Sequence, residues 1–252
     1  MNQQLPKRLT LLVIALSFLL LGACSREYTS EIMNAAKDGN LQAVQAAAQR
    51  GADIHQRSNK GKTALMFAAS ENHLQVAQWL IEQGADVNAA DNYGTTALIV
   101  AATAGHDALV KLLLANGANP QTHDDSGGAP LVNAVYFGHE KTVQLLLDAL
   151  LKDAPPGLDK RDGEELLMLA AGLGHAGVVK LMVKAGVDVN GRGLKRRTPL
   201  MAAAAFDRPE VAKLLLARGA DPAAQDEDGQ TALIVAREKG SDKVAALLAG
   251  IH

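Results

Sequence analysis

Short apolar clusters alternate with polar turns along this chain, at spacings that suit helices. Leu65, Ala68 and Ala69 fall on one face of a short helix. A more aliphatic second helix follows, carrying Val76, Trp79, Leu80 and Ile81, or further on Leu109, Leu112, Leu113 and Leu114. Threonine followed by Ala or Pro opens the first helix, because its hydroxyl can cap the free backbone N–H groups and Pro199 is tolerated in a first turn. Gly105 permits a left-handed ending, Gly84 and Gly117 end second helices, and Asp86-Val87-Asn88 leads into a turn. The pattern predicts helix–turn–helix hairpins joined by β-turn fingers, with alanines letting helices approach closely.

The hairpins recur. Gly61-Lys62-Thr63-Ala64-Leu65, Gly94-Thr95-Thr96-Ala97-Leu98 and Gly127-Gly128-Ala129-Pro130-Leu131 are 33 residues apart, as are Thr198-Pro199-Leu200 and Thr231-Ala232-Leu233. A second landmark keeps the same register: Gly51-Ala52-Asp53, Gly84-Ala85-Asp86, Gly117-Ala118-Asn119, Gly186-Val187-Asp188 and Gly219-Ala220-Asp221. A third is Gly-His at Gly105-His106, Gly138-His139 and Gly174-His175, with Asn72-His73 as a variant. A fixed period of this length marks stacked repeats.

In these three landmarks the chain resembles the ankyrin repeat, from about residue 30 to the end. The resemblance implies an all-α solenoid of about seven helix-turn-helix units with β-turn fingers, beginning near Thr29, Asn59, Asn92, Asp125, Arg161, Leu194 and Glu227, the first and last acting as caps. Two departures stand out. The step from His139 to His175 is 36 residues, and unit four replaces its Gly-Ala-Asp with Leu150 to Gly157. The three extra residues should lengthen the second helix and rebuild the next finger, as surface drift or as a contact loop. The family's histidine after Thr-Pro-Leu is replaced by Met66, Ile99, Val132, Met168, Met201 or Ile234, so apolar packing should stand in for its hydrogen bonds.

The N-terminus reads as an address. Lys7 and Arg8 precede an apolar run from Leu9 to Ala23 that is too short to span a bilayer comfortably. Leu21-Gly22-Ala23-Cys24 resembles the bacterial lipobox, which implies lipid on the Cys24 thiol, cleavage after Ala23 and acylation, palmitate included, of the new terminus. The organisation expected is a signal peptide over 1–23, a lipidated tether over 24–30 and repeats over 31–252. Several acyl chains on one residue should hold the protein to a membrane. Ser25, where Asp would signal inner-membrane retention, points to the periplasmic side of the outer membrane. Cys24 is the only cysteine, so no disulfide can form within the chain.

Composition narrows function mainly by exclusion. A chain of 252 residues with 48% hydrophobic and 21% charged residues can bury a core, and 3% aromatics suits close-packed helices. Without residues 1–23, 23 basic stand against 27 acidic side chains, which gives no drive toward nucleic acid. Gly172 to Gly177 fits Gly-x-Gly-x-x-Gly, but a helix precedes it where a nucleotide site needs a strand. Asp226-Glu227-Asp228-Gly229 imitates the start of a calcium loop, yet it lacks the downstream spacing and falls on a finger. His73, His106, His139 and His175 share one repeat position and should serve the fold, since units stacked about 10 Å apart do not gather metal ligands. No cofactor, metal, small-molecule substrate or enzymatic activity is expected.

The resemblance places binding on a concave face made of finger tips and first-helix ends. Register assigns Lys60, Lys62, Tyr93, Lys195, Arg197 and Asp228 to fingers, and Tyr136, Phe137, Leu173 and Phe206 to helix ends. Tyr93, Tyr136, Phe137 and Phe206 are four of eight aromatics, serving either as interface anchors or as fillers turned inward. The basic tip around Arg197 and the acidic tip around Asp228 are either solvated or steer a complementary partner. The expected function is to bind one periplasmic protein client. Bacterial ankyrin lipoproteins resemble immunity proteins that neutralise periplasm-acting toxins such as lipase effectors. The alternative is a protective partner or scaffold of a periplasmic enzyme such as catalase.

Overall fold

The computed structural model describes residues 29–152 and 159–251. The expected signal peptide, Cys24 and most of the tether lie outside them, as does the segment 153–158. Among the described residues there are fourteen α-helices and no strand. They form seven hairpins: α1 (Glu31–Lys37) with α2 (Leu41–Gln49), α3 (Ala64–Ser70) with α4 (Leu74–Glu82), α5 (Ala97–Ala104) with α6 (Asp107–Ala115), and α7 (Pro130–Phe137) with α8 (Glu140–Lys152). Then come α9 (Lys160–Leu173) with α10 (Ala176–Lys184), α11 (Pro199–Ala205) with α12 (Pro209–Ala217), and α13 (Ala232–Lys239) with α14 (Asp242–Ala249).

First helices pack on first helices and second on second, giving two rows. Alanine makes the first row possible. Ala68, Ala69, Ala101, Ala102, Ala170, Ala171, Ala203 and Ala204 are completely buried, and larger side chains there would push neighbouring backbones apart. The second row supplies the bulk through Leu80, Leu109, Leu113, Leu146 and Met182, also fully buried, each contributing about 1.5–3 kcal/mol. Thr142 is the polar exception in that seam. It is fully buried and donates its hydroxyl to Asp107 Oδ1 of the preceding unit at 2.7 Å.

The threonine caps form as expected. Thr63, Thr96 and Thr198 Oγ1 accept from the backbone N–H of Met66, Ile99 and Met201 at 3.3 Å. The residues replacing the family's histidine behave unevenly. Met66, Ile99 and Met201 are buried, but Ile234 in the last unit is 40% exposed. Met201 also keeps one polar interaction, its Sδ accepting from the Thr198 N–H at 3.5 Å.

The recurring histidines join the units. Nε2–H of His73, His106, His139 and His175 donates to the carbonyl of Lys37, Ser70, Thr103 and Tyr136 at 2.8, 3.3, 3.1 and 3.0 Å. Each carbonyl lies in the last turn of the first helix of the preceding unit. Arg208 takes over at the sixth unit, its Nε–H donating to Gly172 O at 3.0 Å. The turn residue before each staple is left-handed. Gly138 has φ +74°, and a Cβ there would sit 2.7 Å from the His175 ring, so glycine serves both the turn and the staple.

Unit five departs most. Helix α8 has 13 residues where α4, α6, α10 and α12 have 9, so the insertion does lengthen the second helix. Beyond the expectation, residues 160–165, which correspond in register to the finger 124–129, are helical and belong to the 14-residue α9. Asp159 Oδ1 caps that extension by accepting from Arg161 N at 2.8 Å. The i, i+4 pairs Lys160–Glu164 and Arg161–Glu165 run along it. Helix α9 then lies more heavily on α11 than on α7.

Candidate functional site

Each finger is a turn closed by its own side chain. Asp91 Oδ1 accepts from the N–H of Tyr93 and Thr95, and Asp124 Oδ1 from those of Ser126 and Gly128. Asp226 Oδ1 does the same for Asp228 and Gln230, with Ser58 Oγ in that role in unit two. The Asp226–Gly229 segment is thus a finger turn. Neighbouring tips are tied by the backbone: Asn92 N–H donates to Lys60 O at 3.0 Å, Asp125 to Tyr93 O at 2.9 Å and Glu227 to Lys195 O at 3.0 Å. Side chains add to the row, Arg57 Nη1 donating to Ala90 O and Arg192 Nη1 to Gln225 O.

The sixth finger breaks these rules. Gly193 stands where the other fingers have Asp or Ser, and Arg196 where they have Gly61, Gly94, Gly127 and Gly229. Lys195 (φ 57°) and Arg196 (φ 55°) are consecutively left-handed, at about 1–2 kcal/mol each for side chains with a Cβ. A Cβ at Gly193 would meet the end of the Met168 side chain of α9, and one at Gly191 the Glu164 side chain, so both positions suit glycine beside that helix.

Every residue assigned to binding from the sequence lies in a finger or at the end of a first-row helix, but their states differ. Tyr93, Phe137 and Phe206 are exposed at 51, 51 and 62%. Tyr136 and Leu173 are half-buried, Tyr136 packing edge-on against Phe137 with centroids 5.0 Å apart. Lys60 is half-buried, and the Lys62 ammonium lies 5.7 Å from the Phe67 ring centroid. Lys195 faces Asp228 at 4.0 Å and Arg197 faces the buried Asp226 at 3.6 Å, so the basic and acidic fingers hold one another. Leu194, 60% exposed, completes the face. The left-handed pair at 195–196 and the Arg208 staple are not in the sequence reading. Register alone could have found Arg208, since Asp207-Arg208 falls 33 residues after Gly174-His175.

Gly172 to Gly177 spans the end of α9, its left-handed cap Gly174 and the start of α10. Among the described residues no cluster of three or more His, Cys, Asp or Glu could hold a metal, and no helix is long and apolar enough to cross a membrane.

A family model described as ankyrin repeats matches residues 32–124, 104–193, 131–226 and 193–252. The fold is similar to the crystal structure of the human ASB11 ankyrin repeat domain, with TM-score 0.75 and 27% identity over 89% of this chain and all of that one. It is also similar to the ankyrin repeat domain of Bcl-3, with TM-score 0.70 and 26% identity over 89% of this chain and all of that one. Among curated proteins, the chain is 46% identical over 80 residues to E3 ubiquitin-protein ligase hecd-1 of Caenorhabditis elegans, and 44% identical over 89 residues to E3 ubiquitin-protein ligase Ufd4 of Drosophila melanogaster. Those stretches are 32% and 34% of this chain but 3% of either relative's length.

Proposed function

The chain belongs to the ankyrin-repeat family, whose repeats are protein-interaction modules, and from that premise we propose that it binds one protein client in the cell envelope. The client is held against the finger tips and first-helix ends, and the chain is tethered through lipid on Cys24 to the periplasmic side of the outer membrane. One observation carries the binding reading. The four most exposed large apolar side chains among the described residues, Phe206, Leu194, Phe137 and Tyr93, all lie on that face. Exposed aromatics gathered on one face are what an interface buries and what solvent alone disfavours. The lipobox-like Leu21-Gly22-Ala23-Cys24 supports the tether. Such a tether together with one exposed apolar face would suit an immunity protein that neutralises a periplasm-acting toxin.

The full chain in mild detergent serves as bait for envelope extracts, beside a Tyr136→Ala/Phe137→Ala/Phe206→Ala variant. A stoichiometric client that inhibits growth when unbound, and that the triple variant binds at least about tenfold more weakly, is the expected result. Unchanged affinity sinks the surface assignment. A client enzyme that stays active and merely lasts longer in complex replaces neutralisation with protection. Cys24→Ala should leave uncleaved precursor, and normal processing would refute the lipid anchor.

A further inference from the structure

Apolar exposure on the binding face is concentrated in one stretch. At the helix-end position, units four, five and six carry Phe137, Leu173 and Phe206, while units two, three and seven carry Glu71, Ala104 and Lys239. Phe206 is 62% exposed and its ring lies over Gly172, where a Cβ would sit 3.3 Å from the ring. Glycine at 172 thus leaves room for the ring against α9. Leu194, 60% exposed, stands at the finger of the same unit.

That finger is also where cations collect. Lys195 and Arg197 face Asp228 and Asp226 of the next finger, whereas Arg196 forms no ion pair with any described residue. The left-handed turn holds Arg196 at the position where four other fingers have glycine, so a strained cation stands where a relaxed residue would fit. Of the acids on the neighbouring tip, Asp228 and Asp226 are engaged by Lys195 and Arg197, which leaves Arg192 and Arg196 against Glu227. The patch therefore combines an apolar floor with a rim on which four cations, Arg192, Lys195, Arg196 and Arg197, stand beside three acids, Asp226, Glu227 and Asp228.

We propose that the face over units four to six takes an acidic segment of the client that carries apolar anchors. Its apolar side chains pack on Phe137, Leu173 and Phe206 while its carboxylates reach Arg196. This rests on the client-binding reading above and names the chemistry of the bound segment. First-row helices stack about 10 Å apart, so Phe137 to Phe206 spans about 20 Å. An extended segment of about six residues covers that distance.

The test is selection of random 12-residue displayed peptides on the full chain in mild detergent, with Phe206→Ala and Arg196→Glu variants. Both side chains are exposed, so circular dichroism should show unchanged helix content. Enriched peptides are expected to be net negative with at least one Leu, Phe or Trp. Each variant should weaken them at least about tenfold, and Arg196→Glu should accept the same peptides with their acids changed to Lys. No enrichment, or enriched peptides insensitive to both variants, overturns the inference. So does binding of phosphatidylglycerol vesicles that needs Arg196 but not Phe206, with no acidic peptide enriched. Peptides lost only on Tyr93→Ala would leave client binding standing while removing this assignment. If no trough variant affects peptides or native client, both readings fall.

Discussion

The finger row and the helix rows respond differently to the same event, the loss of a finger in unit five. The tips of units three, four and seven each donate a backbone hydrogen bond to the tip before. Among the described residues that row is interrupted at unit five, where 160–165 are helix. The staples are not: His175 still reaches Tyr136 O, and Arg208 reaches Gly172 O one unit later. Stacking therefore depends on contacts between adjacent hairpins, as expected of a quasi-one-dimensional array. Fingers can be lost or strained without breaking the stack, which frees them to vary with the partner.

The largest expected effect tests the stack itself. Leu113→Ala, at a fully buried site in α6, should cost about 2–5 kcal/mol in urea denaturation followed by helical circular dichroism. A loss below about 1 kcal/mol would mean the second row is not close-packed. Next comes the fingerless junction. His175→Ala should cost about 1–1.5 kcal/mol, and more than His106→Ala, where tied fingers share the load. Equal losses would show that the finger row contributes nothing to cohesion. Asp107→Ala should cost about 1 kcal/mol by leaving the buried Thr142 hydroxyl unpaired, whereas Thr142→Val should be close to neutral. A neutral Asp107→Ala would remove that inter-unit hydrogen bond from the account. The smallest effect has the opposite sign. Arg196→Gly should stabilise by up to about 1 kcal/mol by relieving a left-handed side chain. Destabilisation there would mean the sixth finger is not strained.

Much of the helical framework was legible because each landmark answers a local need. The threonine of Thr63 or Thr198 caps, glycine turns, and alanine allows close approach, so each can be read within one unit. The candidate face was legible only as positions. Register placed Lys195 and Asp228 in neighbouring fingers, but their approach to 4.0 Å depends on how two units stack. Likewise register makes Lys62 a candidate for a partner, and its ammonium sits by the Phe67 ring. The sequence leaves Tyr136 as an anchor or a filler, and it is half-buried, packed against Phe137.

Repetition by itself determined the number of hairpins, their order and the positions that face outward, because a repeat places equivalent residues equivalently wherever its neighbours are regular. Tertiary structure decided what happens where they are not. Helix α9 occupies 160–165, where register places a finger, and its Glu164 and Met168 side chains lie where a Cβ at 191 or 193 would go. The adjacent tip is strained and cationic. Those consequences arise from volume shared between residues about thirty apart, and no single unit of the sequence contains both sides of that contact.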